Sequence, residues 1–286
     1  MIRTLALGVL SALALSAGAV SAAPTAPEIE DVEFAHEGPF GRFDTLQLQR
    51  GLQVFTQVCS ACHGLKYVPV RSLSDPGGPQ MPEDQVRAYA RDILLPVVDP
   101  VTGEERPREP TDAFPASQLE NAPDLSLITK ARAGFAGPYG TGINQLIRGM
   151  GGPEYVYGLM MGYRDPPACA PEDFEGYYNT AFVKGAIPES CRDEEGMPTI
   201  PGSWIAMPPP IVDDSVAYAA VDGVTPPTDA ASISMDVSAF LTWTAEPKLN
   251  SRKSAGLTAV IFLGILATLL YLTNKRLWMN VKRRDA

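Results

Sequence analysis

Histidine is almost missing from this chain: 286 residues carry two, His36 and His63. Cysteine is scarce too, with Cys59, Cys62, Cys169 and Cys191 making up all four. A zinc site on the first pair would need further ligands at metal spacing, and none are in evidence along the chain. Nucleotide signatures are also lacking. The glycine-rich stretch from Phe135 to Gly152 contains no G-x-x-x-x-G-K-S/T loop, and Gly149-Met150-Gly151-Gly152 makes no dinucleotide fingerprint. Close approach of that backbone to another group explains its glycines better. No internal repeat or long low-complexity tract occurs. Positive charge is short as well. Between Ala23 and Asn250, 32 Asp and Glu stand against 15 Lys and Arg, a balance of −17 where the whole chain has −10. Such a field repels nucleic acid and favours a basic partner, with association that slows as salt rises; solubility is its plainest use.

Charge is absent altogether from Ala255 to Leu272, a run long enough to span a bilayer as a helix. Lys275, Arg276, Lys282, Arg283 and Arg284 follow it, with Tyr271 and Trp278 near the interface, while Lys248, Arg252 and Lys253 precede it. Five cations against three favour a cytoplasmic C-terminus. At the other end, Met1 to Ala22 has the form of a secretory signal: Arg3 is the charged start, Leu5 to Leu15 the apolar core and Val20-Ser21-Ala22 a small-residue cleavage site. Ser11, Ser16 and Gly18 interrupt that run, which argues against a second spanning helix. The organisation expected is a signal peptide at 1–22, an exported domain at 23–250, an anchor helix at 251–274 and a basic tail at 275–286.

Cys59-Ser60-Ala61-Cys62-His63 is the most informative stretch. C-x-x-C-H is the attachment signature of a c-type haem: the two thiols form thioethers to the vinyl groups and the histidine falls beneath the iron. A thioredoxin-like pair would be expected in a βαβ context, which is not visible here. Resemblance to c-type haem proteins implies covalent attachment outside the cytoplasm, in agreement with the signal.

Before the motif, Asp44 or Thr45 can cap a helix whose Leu48, Leu52 and Phe55 share one face. Gly51 inside it costs roughly 1 kcal/mol relative to alanine, so a close helix crossing is expected there. The arrangement resembles that of class I c-type cytochromes, in which the helix before the haem motif crosses the C-terminal helix; that resemblance implies Met235 to Ala245 as the partner, where Val237, Phe240, Leu241 and Thr244 form the matching stripe. Lys66 to Leu73 and Glu83 to Ile93 read as short helices, and Asp99 to Pro115 as an exposed, charged, Pro-rich excursion.

The sixth position of the iron could be taken by His36, a methionine or water. His36 lies in the polar lead-in from Ala23 to Phe40, where a surface position is the plain expectation. Met207 is the best candidate, because Pro208-Pro209-Pro210 restricts the chain and would present the thioether at little ordering cost. Met150, Met160 and Met161 fall in a segment that reads as core, Met235 on the last soluble helix, and Met81 and Met197 in loops. A thioether ligand favours ferrous iron and suits one-electron passage. Cys169 and Cys191 bracket a polar, Gly- and Pro-containing loop in an exported domain. Pairing is expected, worth roughly 3 kcal/mol by loop entropy, with two free thiols as the alternative.

Phe40-Gly41-Arg42-Phe43-Asp44, the haem motif, Ala122-Pro123-Asp124-Leu125-Ser126, Lys130-Ala131-Arg132, Gly151-Gly152-Pro153-Glu154-Tyr155, Met207-Pro208-Pro209-Pro210 and Tyr271-Leu272-Thr273-Asn274-Lys275-Arg276 occur in this order. The set resembles the cytochrome c1 family, the haem-bearing subunit of bacterial cytochrome bc1 complexes, over Phe40 to Val281. That resemblance implies a mainly α fold: a class I cytochrome c-like haem domain with long loop insertions and one C-terminal transmembrane helix. It implies one covalent haem c on Cys59 and Cys62, with His63 and Met207 as axial ligands. Pro123 would accept the proximal imidazole N–H and Arg132 would meet a propionate, while Tyr139 and Tyr155 would line the haem. The Cys169–Cys191 pair resembles the extra disulfide of some bacterial members. Cytochrome b, the Rieske iron–sulfur protein, a basic cytochrome c, membrane lipid and a dimeric complex are the partners implied. The chain's own step is electron transfer, and quinol chemistry belongs to the assembled complex. Two other readings stay open: a haem donor subunit of another oxidase or reductase, and a membrane-anchored haem sensor or enzyme with an open iron face.

Overall fold

The structure, a computed structural model, describes residues 29–132 and 151–282. The segment read as a signal peptide, Tyr139, Met150 and the end of the basic tail lie outside the described residues. Six α-helices follow one another in the described chain: α1 (Thr45–Gln57), α2 (Glu83–Asp92), α3 (Ile128–Ala131), α4 (Gly152–Met161), α5 (Ala230–Ala245) and α6 (Leu249–Lys282). Two small antiparallel pairs complete it, β1 (Val97–Val98) with β2 (Glu105–Arg106) and β3 (Tyr177–Asn179) with β4 (Ser203–Ile205).

Helix α1 starts where Asp44 leaves its side chain outside the helix and accepts the Leu46 N–H at 2.9 Å. Its apolar face of Leu48, Leu52, Val54 and Phe55 is buried against α5. The crossing falls at Gly51, where any Cβ would collide with the Asp236 carbonyl oxygen and the Phe240 Cβ. Beside it Arg50 grips Asp236 with two hydrogen bonds of 2.8 and 2.9 Å. The core continues through Phe55, whose ring lies 5.9 Å from Phe240 and 6.2 Å edge-on from Phe114. Trp243 stacks 5.7 Å beyond Phe240. Helix α4 packs on the same α5, so α5 is the central pillar of the domain.

Three local expectations are revised. Lys66 to Leu73 is a turn followed by a 3-10 helix at Val70–Ser74, because Pro69 precedes it and the backbone N–H groups of Val70 and Arg71 go to the carbonyls of Asp112 and Pro110. The excursion from Asp99 to Pro115 is exposed only in its first part. After the β1–β2 hairpin it returns to the core: Phe114 is buried, its N–H donates to the Val68 carbonyl, and the Arg108 guanidinium donates to the carbonyls of Leu95, Pro96 and Ala113. His36 is also buried, at 4 % exposure, between Phe34 at 5.3 Å and Phe43 at 4.7 Å.

Helix α6 is continuous from Leu249 and contains the one described helix long and apolar enough to cross a membrane, Leu249–Met279. Its start is tied to the lead-in loop. Asn250 Oδ1 accepts the Phe43 N–H at 3.3 Å, and Lys253 Nζ donates to the carbonyls of His36 and Gly41.

Alanine at position 51 would gain about 1 kcal/mol of helix propensity. Overpacking against a backbone carbonyl costs about 1–3 kcal/mol, which outweighs that gain. Gly51→Ala is therefore expected to lower the unfolding midpoint and the haem content of the purified chain. A stabilised variant would show that α1 does not cross α5 this closely. Burial, with the Lys253 charge adding to it, lowers the His36 pKa from 6.5 to about 3. The neutral ring therefore contributes stability that is complete above about 6.5 and is lost as pH falls towards about 3. One proton steepens the acid limb by up to about 1.4 kcal/mol per pH unit, and His36→Phe should remove that slope in unfolding midpoints measured from pH 7 to 4.

Candidate functional site

Chain leaving α1 has no room to spread. Cys59–Ala61 closes as a 3-10 turn, with the Cys62 and His63 N–H groups both on the Cys59 carbonyl at 3.1 and 2.9 Å. Cys59 and Cys62 are partly buried and unpaired. Burial pushes the Cys59 thiol up to about 12, with Cys62 adding to the shift. A thioredoxin-type nucleophile has its thiol depressed instead, and the motif follows a helix rather than a strand.

A second segment is zipped beneath this turn. The Lys66 N–H donates to Asp124 Oδ2 at 2.9 Å and the Tyr67 N–H to Ser126 Oγ at 3.1 Å, while the Leu125 N–H donates to the Gly64 carbonyl at 2.9 Å. Gly64 N–H reaches Ser117 Oγ at 3.1 Å, and a Cβ at Gly64 would strike the Pro115–Ser117 backbone. Within this zipper His63 Nδ1 lies 2.8 Å from the Pro123 carbonyl oxygen. A carbonyl only accepts, so Nδ1 donates and Nε2 is the ring nitrogen left to serve as a ligand. Those are the properties of a metal-ligating imidazole oriented by a backbone carbonyl.

Met207 lies elsewhere in the chain, two residues beyond β4 and before the three prolines, and is partly buried. Its carbonyl accepts the Tyr163 hydroxyl at 3.1 Å. The loop that presents it is built on the β3–β4 pair, in the register Tyr177 to Ile205, Tyr178 to Trp204 and Asn179 to Ser203. Cys169 and Cys191 are bonded, with Cα atoms 5.2 Å apart and 22 residues of separation, and enclose β3. Arg132 sits at the end of α3 with its guanidinium 5.1 Å above the Tyr155 ring. Tyr139 is outside the described residues. Of the other methionines, Met160, Met161, Met235 and Met81 pack on the core and Met197 is 47 % exposed.

Sequence reasoning did not single out Asp124, Ser126, Ser117 or Tyr163. The first three serve backbone N–H groups near the motif, which no spacing rule announces. Asp124 and Ser126 do fall inside the segment that carries the family resemblance.

A free, turn-held cysteine pair, an imidazole with Nε2 released, and a proline-flanked thioether fit a covalently attached haem. Fold and site together define a membrane-anchored c-type haem protein of the class I cytochrome c kind. The sequence model of the Cytochrome C1 family matches residues 34–281, and the chain belongs to that family. It is 59% identical to Cytochrome c1 of Cereibacter sphaeroides, over 99% of this chain and 98% of the relative. It is 37% identical to a Bradyrhizobium diazoefficiens protein named Cytochrome b/c1, over 87% of this chain and 35% of that longer one. The mitochondrial Cytochrome c1, heme protein, of Saccharomyces cerevisiae is 32% identical, over 96% of this chain and 80% of the relative. The chain is thus a haem-bearing electron-transfer subunit of the cytochrome bc1 complex, with a covalent c-type haem and, through α6, a single-pass anchor.

Opening the disulfide with Cys169→Ser and Cys191→Ser together is expected to cost about 3 kcal/mol. Melting followed by absorbance at the haem band should detect it; an unchanged midpoint would mean that the loop is held by its strand pairing alone.

Proposed function

We propose that Cys59 and Cys62 hold the haem as thioethers, that His63 Nε2 and Met207 Sδ are the two axial ligands, and that Arg132 pairs with a propionate while Tyr155 lines the haem. The hydrogen bond from His63 Nδ1 to the Pro123 carbonyl is the observation that carries this reading. It sets the tautomer and aims the ring, so little orientational freedom remains to be lost on ligation. Arg132 offers a planar fork suited to a carboxylate, and its place over Tyr155 keeps that fork ordered. A bound haem with imidazole and thioether ligands supplies reversible one-electron chemistry at a raised potential. Met207 in the sixth position leaves dioxygen and peroxide no site, which favours a carrier over a sensor or an oxidase-like enzyme.

Within the complex, electrons come from the Rieske iron–sulfur protein and leave to a cytochrome c. The balance of −17 between Ala23 and Asn250 suits a basic acceptor. Cytochrome b is the neighbour of α6, a reading supported by a relative whose name joins b and c1. The signal at 1–22 and the cation bias after the anchor favour a periplasmic domain at 23–250, an anchor at 251–274 and a cytoplasmic tail at 275–286. The anchor contacts lipid, and the complex is a dimer.

The test compares the purified, detergent-solubilised protein with Met207→Leu. Wild type should show the weak far-red methionine-to-iron band when ferric and should ignore carbon monoxide when ferrous. The variant should lose the band, fall in potential and bind the gas. Carbon monoxide binding by wild type, or a variant that keeps the band, would remove Met207 as ligand.

A further inference from the structure

Nothing in the β-ladder holds Met207. Strand β4 ends at Ile205 and the next three residues after Met207 are prolines, which donate no backbone hydrogen bond. The residue that carries the thioether thus hangs beyond the last paired position. Among the described residues one bond reaches back to it, from the Tyr163 hydroxyl to the Met207 carbonyl, 3.1 Å long and spanning 44 residues of sequence.

Tyr163 is itself unusually well fixed. It follows the end of α4, forms an isolated bridge with Asn179 of β3, and is flanked on both sides by bonds to the same strand region: Thr180 N–H to the Gly162 carbonyl at 2.9 Å and Arg164 N–H to the Tyr178 carbonyl at 3.2 Å. Asn179, fully buried, ties the joint further by donating to the Leu159 carbonyl at 2.8 Å and accepting the Ala181 N–H at 3.0 Å. Helix α4 packs on α5, the pillar that also fixes α1 and hence the haem motif. A continuous set of packed contacts therefore runs from the proximal side through α5 and α4 to the Tyr163 hydroxyl.

We propose that Tyr163 is a positioning residue for the axial thioether, its hydroxyl holding the Met207 carbonyl so that the methionine stays directed at the iron. This rests on Met207 being the ligand. A thioether is a weak neutral ligand, and the fraction of time it is dissociated depends on how tightly the loop returns it. Removing one neutral hydrogen bond should raise that fraction about two- to tenfold.

The experiment is cyanide binding to the ferric, detergent-solubilised full-length protein, together with the far-red band and the reduction potential, in wild type, Tyr163→Phe, Tyr178→Phe and Met207→Leu. Tyr178 is the control, because it also donates its hydroxyl to a carbonyl of this loop, that of Pro201 at 2.6 Å, but not to Met207. Expected is an apparent cyanide affinity raised about two- to tenfold in Tyr163→Phe, with a weakened or shifted band and a lower potential, and Tyr178→Phe close to wild type. If Tyr163→Phe matches wild type while Met207→Leu loses the band, the positioning role is wrong and the ligand assignment survives. If Tyr178→Phe changes as much as Tyr163→Phe, the effect is general loosening of the loop and the specific role is also wrong. If Met207→Leu keeps the band, the ligand assignment fails and the positioning role goes with it.

Discussion

The close crossing of α1 and α5 at Gly51 is the constraint from which the rest of the site follows. With no side chain at that point, the two backbones approach until Asp236 and Phe240 fill the space, and the Arg50–Asp236 pair closes over the contact. Asp236 is nearly inaccessible while Arg50 keeps partial access to water. Removing one partner would strand a buried charge, so the pair favours this register over neighbouring ones more than it adds net stability. Fixing α1 fixes its C-terminal end, and Cys59 begins two residues after that end. The position of the haem motif is therefore inherited from a helix–helix contact.

Much of that was legible because it uses periodicity and one conspicuous residue. A glycine inside an apolar helical stripe costs stability without a crossing to justify it, and the matching stripe on α5 was visible at Val237, Phe240 and Leu241. The motif, the proline run after Met207 and the anchor were equally plain, since each has a local chemical reason. Buried polar bookkeeping was not legible. His36 looked like a surface residue in a polar lead-in, yet Phe34 and Phe43 enclose its ring. Arg108 and Phe114 sat in a Pro-rich charged stretch whose composition suggests solvent, and the structure turns that stretch back because the guanidinium meets three carbonyls that would otherwise go unpaired. Tyr163 had no signal either, because its partner is a backbone atom 44 residues away.

The two sides of the site are built by different means. On the histidine side, short loops satisfy one another's backbone groups, with Asp124, Ser126 and Ser117 as acceptors, and His63, the proposed ligand, is bonded directly to that network through Pro123. On the methionine side the chain has few donors to offer, so rigidity comes from proline φ restriction, a short strand pair and a disulfide. The loops differ in what they can lose. Acceptor side chains on the first side are individually replaceable at about 1 kcal/mol each, whereas the second side concentrates its order in a few elements.

The anchor is joined to the domain by charges that are mostly used internally. Lys248 pairs with Asp75 at 3.0 Å, Arg252 and Lys130 share Glu246 at 3.3 and 2.7 Å, and Lys253 reaches two carbonyls of the lead-in loop. Exposed pairs of this kind are each worth little, but here they act alongside the Asn250 bond to Phe43 and the buried Leu249. Their common effect is to make the first turn of α6 part of the haem domain, leaving little slack between the domain and the helix. A carrier that must meet one donor and one acceptor gains from this, because the orientation of its surface then follows from the orientation of the helix. Cations spent on such contacts are less free to interact with headgroups, while none of the described residues supplies carboxylates to Lys275 or Arg276 beyond the apolar run. The three cations before the apolar run are thus engaged within the domain, which a count in the sequence does not show.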